Sequence, residues 1–412
     1  MISWAHRSLQ FPPSKKILQI IKGHTEEAML ALHRKHGDFV RIAPDEIGVS
    51  HPDAVKQLLH AKIPKGSWYE VFSVPDYRSV SQKSETDAQR HIEKGKNKSE
   101  DYVDDIIAAL KGQLHRLAVG AQSTGKTGEM QAHLDKWFNF FAFDVVGEVT
   151  FSRSFGFVQA GSDIGNAITN ARKLALYVSI VGQYVWIHHL SIDNPWMSRL
   201  GLIPASHLFD TCLAAIDVRN NHLDRMAEEE VFAAAAANGG AGAETVSASL
   251  QALVYHLLKD PVCLRRLQAE LDRAQGKGKL STVVKYSEAM GLPYLQACIK
   301  EAYRYHPSIG TNLPRVVPKG GMTIRGRYFE EGRWLDKERA AKMDYRLVHW
   351  GAGYNQCPGR NLAHFEISKL AATLLRDYEF ERADPEKEWE FKNHFITTPC
   401  NWPCWVRRRT AV

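Results

Sequence analysis

Apolar residues recur at steps of three and four through the middle of the chain. Val103, Ile106, Ile107, Leu110, Leu114 and Leu117 share one face of a helix. The run from His133 to Phe151 predicts a second apolar helix, with Trp137, Phe140, Phe141, Val145 and Val149 in the core. A longer helical region follows from about Ala227 to Leu258, interrupted by Gly239, Gly240 and Gly242, and its alanine run Ala233 to Ala237 is good helix former. Two further helices lie before and after Pro293, and a last one starts at Asn361. β-prone runs sit toward the two ends. Phe39 to Ile42 and Ile47 to Ser50 are separated by the turn sequence Ala43-Pro44-Asp45-Glu46 and predict a hairpin. Leu313 to Val317, Met322 to Ile324 and a tail of strand-like character supply the rest. The expectation is a single domain over 1–412, mainly α with a small β region to which 1–62 and 313–330 contribute most.

Composition narrows the class. The 412 residues are 44% hydrophobic and 24% charged, which excludes collagen-like, disordered and multipass membrane chains. The net charge of +7 is spread along the chain and broken by acidic runs such as Glu228-Glu229-Glu230, too diffuse to argue for nucleic acid. It leaves room for a basic face toward an acidic protein or an anionic membrane surface. Six irregularly spaced cysteines make no disulfide framework and favour a reducing compartment. Met1 to Lys16 holds no apolar core of the kind a secretory signal needs. The uncharged stretch Leu174 to Ile187 is short for the ~20 residues of a membrane span, so no transmembrane anchor is expected in this chain.

Candidate chemistry concentrates near the C-terminus. Trp350-Gly351-Ala352-Gly353-Tyr354-Asn355-Gln356-Cys357-Pro358-Gly359-Arg360 places one cysteine in a glycine-rich loop immediately before an apolar helix. The glycines let the backbone turn tightly and approach a flat ligand. The N-terminus of the following helix directs free N–H groups and its positive dipole end toward Cys357, which favours thiolate. Such a loop suits a sulfur bound to haem iron, although a lone cysteine is more often structural. Glu301 and Arg304 lie three apart on a helix, and the cysteine follows Arg304 by 53 residues. Upstream, Ala241-Gly242-Ala243-Glu244-Thr245 puts a glycine in mid-helix at a cost of roughly 1 kcal/mol. A groove admitting O2, beside a carboxyl and a hydroxyl that relay protons, would account for it.

These three motifs, in this order, resemble the cytochrome P450 superfamily of haem-thiolate monooxygenases from roughly His33 to the C-terminus. Segments such as Phe143-Asp144-Val145-Val146-Gly147-Glu148 look like the eukaryotic microsomal branch, in particular fungal enzymes of specialised metabolism. The resemblance implies a cytochrome P450 fold and haem (iron protoporphyrin IX) as cofactor, with Cys357 as the metal ligand. Trp350, Gly353 and Gly359 would shape the cofactor loop, and Glu244 with Thr245 would handle protons. Glu301 and Arg304 would join an arginine of a later loop, for which Arg333 is the candidate, and Arg315 would pair with a haem propionate. Ile309, Thr311, Asn312 and Leu313 would line the pocket of a small apolar organic substrate. O2 and an NADPH-dependent reductase would be the co-reactant and electron donor, at the cytoplasmic face of the endoplasmic reticulum, with this chain cytosolic or peripheral.

Several positions depart from the family pattern. Trp350 stands for the usual Phe, Asn355 for a basic residue, and Val246 for a second hydroxyl. Near His91 only Arg90 and His91 itself could replace a further propionate contact. The interval between Glu301 and Cys357 is short, with the gap opening between Glu331 and Arg333, so the fold is expected to be partly truncated. A shortened relic of such an enzyme, haem-binding or non-functional, is therefore one alternative. A P-loop nucleotide hydrolase is the other, because Gly120-Ala121-Gln122-Ser123-Thr124-Gly125-Lys126-Thr127 matches G-x-x-x-x-G-K-[ST]. Its context is helical where a buried strand should precede it. His394, Cys400 and Cys404 lack a fourth partner for zinc, and packing is their expected role.

Overall fold

The computed structural model describes residues 13–43, 46–51, 54, 58–59, 63, 65–72, 96–124, 131–151, 153–191, 228–316, 348–353 and 356–409. Helices dominate. The order is α1 (Pro13–Lys22), α2 (Thr25–His36), β1 (Phe39–Ala43), β2 (Glu46–Val49), α3 (Lys96–Thr124), α4 (Leu134–Phe151), α5 (Phe157–Ala160), α6 (Ala167–Val181) and α7 (Val185–Leu190). Then come α8 (Glu228–Lys259), α9 (Pro261–Gly276), α10 (Tyr286–Met290), α11 (Pro293–Tyr305), α12 (Arg360–Asp377), β3 (Tyr378–Arg382), β4 (Glu390–His394), β5 (Ile396–Cys400) and β6 (Cys404–Arg408).

The expected hairpin forms: β1 pairs antiparallel with β2, Val40 opposite Gly48. Two more antiparallel pairs, β3 with β6 and β4 with β5, come from the tail. Four of the six strands among the described residues thus lie in 378–408. Of the two segments expected to hold most of the β region, 1–62 supplies β1 and β2. Residues 317–330, with Met322 to Ile324, lie outside the described residues.

Helix ends follow local chemistry. Asp260 caps α9 by accepting from the amides of Val262 and Cys263, each at 3.0 Å, and Pro261 takes the first helical position where its missing N–H costs nothing. Pro293 does the same for α11. The helix α3 continues unbroken through Gly120 to Thr124. A phosphate-binding loop needs a strand before it, so this geometry removes the basis for the nucleotide reading; Lys126 itself lies outside the described residues.

The core centres on α8 against α4. Phe138, Phe141 and Phe143 of α4 and Leu250, Leu253 and Tyr255 of α8 are all at most 2% exposed. Each helix is apolar nearly all round, as suits helices in the middle of a large protein. Against them packs α12, which carries a buried cation. Lys369 is fully buried, its Nζ 2.7 Å from Glu100 and 2.6 Å from Asp104 of α3. Burial works to raise the Glu100 carboxyl, but the Lys369 ammonium and the Tyr286 N–H outweigh it and hold it below its ordinary value. Asp104 goes the other way, because burial and its acidic neighbours outweigh its share of the same ammonium. Removing the cation strands two acids on α3. Lys369→Met should cost about 3 kcal/mol in denaturant unfolding. Adding Glu100→Gln and Asp104→Asn should recover part of that loss.

Candidate active site

The cysteine loop is clasped at its neck. The Cys357 amide donates to the Trp350 carbonyl at 2.6 Å, closing a ring around Gly351 and Gly353. Those two glycines adopt φ of 70° and 55°, a left-handed conformation that side chains disfavour. Gly359 differs. It caps α12 at φ −79°, and a Cβ there would meet the Cys357 Sγ at an ordinary 3.9 Å. Its place beside the sulfur, rather than its backbone freedom, marks it. The half-buried Cys357 forms no disulfide and sits three residues before the first residue of α12, whose orphan amides and dipole favour negative charge on sulfur.

An aromatic wall fixes the loop to α11. Tyr303 is 3% exposed, and the His349 ring stacks on it at 4.3 Å with the planes 15° apart. Trp350 meets both rings edge-on, at 5.2 Å from Tyr303 and 4.6 Å from His349. Burial, with His306 nearby, lowers the His349 imidazole to about 4, so it is neutral at ordinary pH. Burial also pushes the Glu366 carboxyl on α12 up to about 8. The wall beside the cysteine therefore carries little charge near neutral pH. On the outer face of α11, Arg304 binds Glu301 through two hydrogen bonds of 2.9 and 2.6 Å. Arg333, the expected third member, lies outside the described residues.

On α8, Thr245 donates its hydroxyl to the Ala241 carbonyl at 2.7 Å. Glu244 is 4% exposed, and its carboxylate accepts from Arg172 Nε of α6 at 3.3 Å. Burial raises the Glu244 carboxyl above its ordinary value and Arg172 opposes it. The acid and the alcohol thus have separate partners here. Gly242 has a packing cause: a Cβ there would stand 2.8 Å from Val146 Cγ2 of α4. Close helix contact therefore explains the mid-helix glycine without a groove for O2.

The segment after α11 links these parts. Ile309 forms an antiparallel bridge with Ile396 of β5, Thr311 is half-buried, and Asn312 and Leu313 are exposed. Arg315 bridges Lys65, donates through Nη1 to the Tyr69 hydroxyl at 2.6 Å and lies 5.4 Å from that ring's centre. Its Nε is buried with no hydrogen-bond partner among the described residues. A buried guanidinium N–H is costly to leave unbonded, and a carboxylate fits it. That donor, with the cysteine loop, fits haem: a sulfur for the metal and a cation for a propionate. Arg172, Tyr69, Ser249 and Ser308 had drawn no notice in the sequence. The first two carry no sequence signal, being far along the chain from Glu244 and Arg315. Ser249, one turn after Thr245, was available from spacing.

A mainly helical fold with such a loop and an acid–alcohol pair on its central helix defines the haem-thiolate class. Comparison with known proteins agrees. The Cytochrome P450 family description matches residues 184–332 and 327–401. Cytochrome P450 monooxygenase cicH of Emericella nidulans is 30% identical over 94% of this chain and 89% of its own length. Cytochrome P450 monooxygenase gsfF of Penicillium aethiopicum is 27% identical over 92% and 87%, and a pisatin demethylase of Fusarium vanettenii 27% over 92% and 83%. Among solved structures the cytochrome P450DA heme domain superposes with a TM-score of 0.75 at 16% identity, covering 98% of this chain and 97% of that one. This chain belongs to the cytochrome P450 family. It is a haem-thiolate monooxygenase that takes O2, an organic substrate and electrons from a redox partner. The family match falls in two parts that meet at 327–332, where the sequence is expected to lack a segment. Consistently, the alignment with the Emericella protein runs over 458 positions, more than the 412 residues here, so that relative carries internal residues this chain lacks.

If Gly242 serves packing, Gly242→Ala should destabilise the fold. Overpacking of about 1–3 kcal/mol exceeds the gain of about 1 kcal/mol in helix propensity. Val146→Ala in the same chain should restore stability, measured by denaturant unfolding of both variants.

Proposed function

We propose that Cys357 is the axial ligand of the haem and Arg315 the partner of a propionate. The observation that carries this is the clasped cysteine loop at the start of α12, with the unbonded Arg315 Nε as independent support. When bound, haem supplies the iron at which O2 is reduced. The protein's residues do the rest. Gly351 and Gly353 shape the loop, and Trp350 and His349 hold it on Tyr303. Thr245 keeps a proton at Oγ1, and Glu244 takes protons from the solvent side when it parts from Arg172, whose side chain is 41% exposed. Glu301 and Arg304 brace α11 behind the loop. Ile309, Thr311, Asn312 and Leu313 line the pocket of an apolar substrate. The electron donor is an NADPH-dependent reductase. Residues 1–412 act as one domain, a reading supported by one hydrophobic core that draws on residues from Val103 to Val406 and by the packing of α1 on α6 and β4.

The test is the absorption spectrum of the reduced, carbon-monoxide-bound protein. Wild type should give the band of a thiolate-ligated haem and Cys357→Ser should lose it, because an alcohol does not replace a thiolate ligand. An unchanged band in that variant would refute the assignment.

No helix among the described residues is long and apolar enough to cross a membrane. Peripheral association, at the cytoplasmic face of the endoplasmic reticulum, is supported by exposed apolar side chains on two helices. Trp186 and Leu190 of α7 are 62% and 64% exposed, and α1, which packs on the adjoining α6, exposes Leu18 and Ile21 beside Lys15 and Lys22. Apolar tips among lysines suit an anionic lipid interface. Trp186→Ser with Leu190→Ser should weaken sedimentation with phosphatidylserine-containing vesicles roughly tenfold.

A further inference from the structure

Two buried serines join α8 to the segment assigned to the substrate. Ser249 and Ser308 are 2% and 3% exposed, and their hydroxyl oxygens lie 2.9 Å apart. Each also reaches the carbonyl of Thr245, Ser249 at 3.0 Å and Ser308 at 2.9 Å. The three oxygens form a triangle with three hydrogen-bonding edges, but two hydroxyls bring only two protons. Either both serines donate to the Thr245 carbonyl, or one donates to the other, which donates onward. In both arrangements every proton is used, and both contacts that cross from α8 to the segment run through the Ser308 hydroxyl.

The segment is locked on its far side as well. The Ser308 carbonyl accepts from the Thr397 amide at 2.8 Å, Ile309 bridges Ile396, and Asn393 donates to the Gly310 carbonyl at 2.7 Å. No Cβ fits at Gly310, because Asn393 and Thr397 already occupy its place. Residues 308–310 are therefore rigid between α8 and the β4–β5 pair, and Thr311 to Leu313 project from that anchor. The only polar tie from this anchor to the turn bearing Thr245, among the described residues, is the serine triangle.

We propose that Ser249 and Ser308 are positioning residues that hold the Thr245 turn and the segment Ile309–Leu313 in one fixed relation, so that both present themselves to the same bound molecule. The inference rests on the reading of that segment as substrate-lining.

Ligand binding to the haem-loaded protein, followed by absorption, tests it with two probes. Imidazole needs only the iron, whereas 4-phenylimidazole also presses on the surrounding wall. Ser308→Ala and Ser249→Ala should each weaken 4-phenylimidazole roughly three- to tenfold, the worth of one buried hydrogen bond, and leave imidazole unchanged. The double variant should lose no more than Ser308→Ala alone, since both contacts that cross to α8 run through Ser308, and Ser308→Thr should restore affinity. Additive losses, equal losses for both probes or no loss would overturn the proposal. If Ile309→Ala leaves 4-phenylimidazole unaffected while imidazole still binds, the substrate-lining reading fails and takes the proposal with it. If that variant weakens 4-phenylimidazole and the serine variants do not, only the serine pair is refuted.

Discussion

Everything in the site depends on how closely α8 approaches α4. At Gly242 the gap to Val146 leaves no room for a methyl group, and this contact fixes the rotation of α8 about its axis. Helical geometry then does the distributing. With Gly242 turned to α4, Glu244 points toward α6 and meets Arg172, while the Thr245 carbonyl turns to the segment after α11 and meets Ser308. One steric limit thus sets the direction of the acid, the alcohol and the tie to the segment after α11.

A second theme is how polar groups are kept inside a largely apolar interior. Lys369 is neutralised by two acids of another helix, Glu366 is kept uncharged by burial alone, and the Cys357 loop satisfies its own amide through Trp350. Arg315 Nε is different: it is the one guanidinium or ammonium nitrogen among the buried side-chain polar atoms that lack a hydrogen-bond partner within the described residues, which suits it to a carboxylate.

The chain reaches this arrangement although it is shorter than its relatives inside the matched region. The family match divides at 327–332, yet the cysteine loop still closes on Tyr303 and α12 still packs on α8 and α11. Both anchors, α11 and α12, flank the shortened interval and are held by their own core contacts. The loop's position is therefore set by packing at its ends rather than by the length of chain between them.

The sequence by itself determined the main core helices α3, α4, α8, α11 and α12, the early hairpin and the cysteine loop, because these depend on local spacing: apolar steps of three and four, a Pro-containing turn, glycines around a single thiol. It also identified Glu301 with Arg304, a pair formed within one helical turn. Tertiary structure alone decided the rest. It gave Gly242 a packing role, turned Gly120 to Thr124 into the end of a helix, and paired Glu244 with Arg172 and Arg315 with Tyr69, partners 72 and 246 positions apart. It also placed most of the described strands in the tail, whose residues show only weak alternation. Contacts between distant segments are set by how faces pack, and periodicity along a chain records which residues share a face, not what that face will meet.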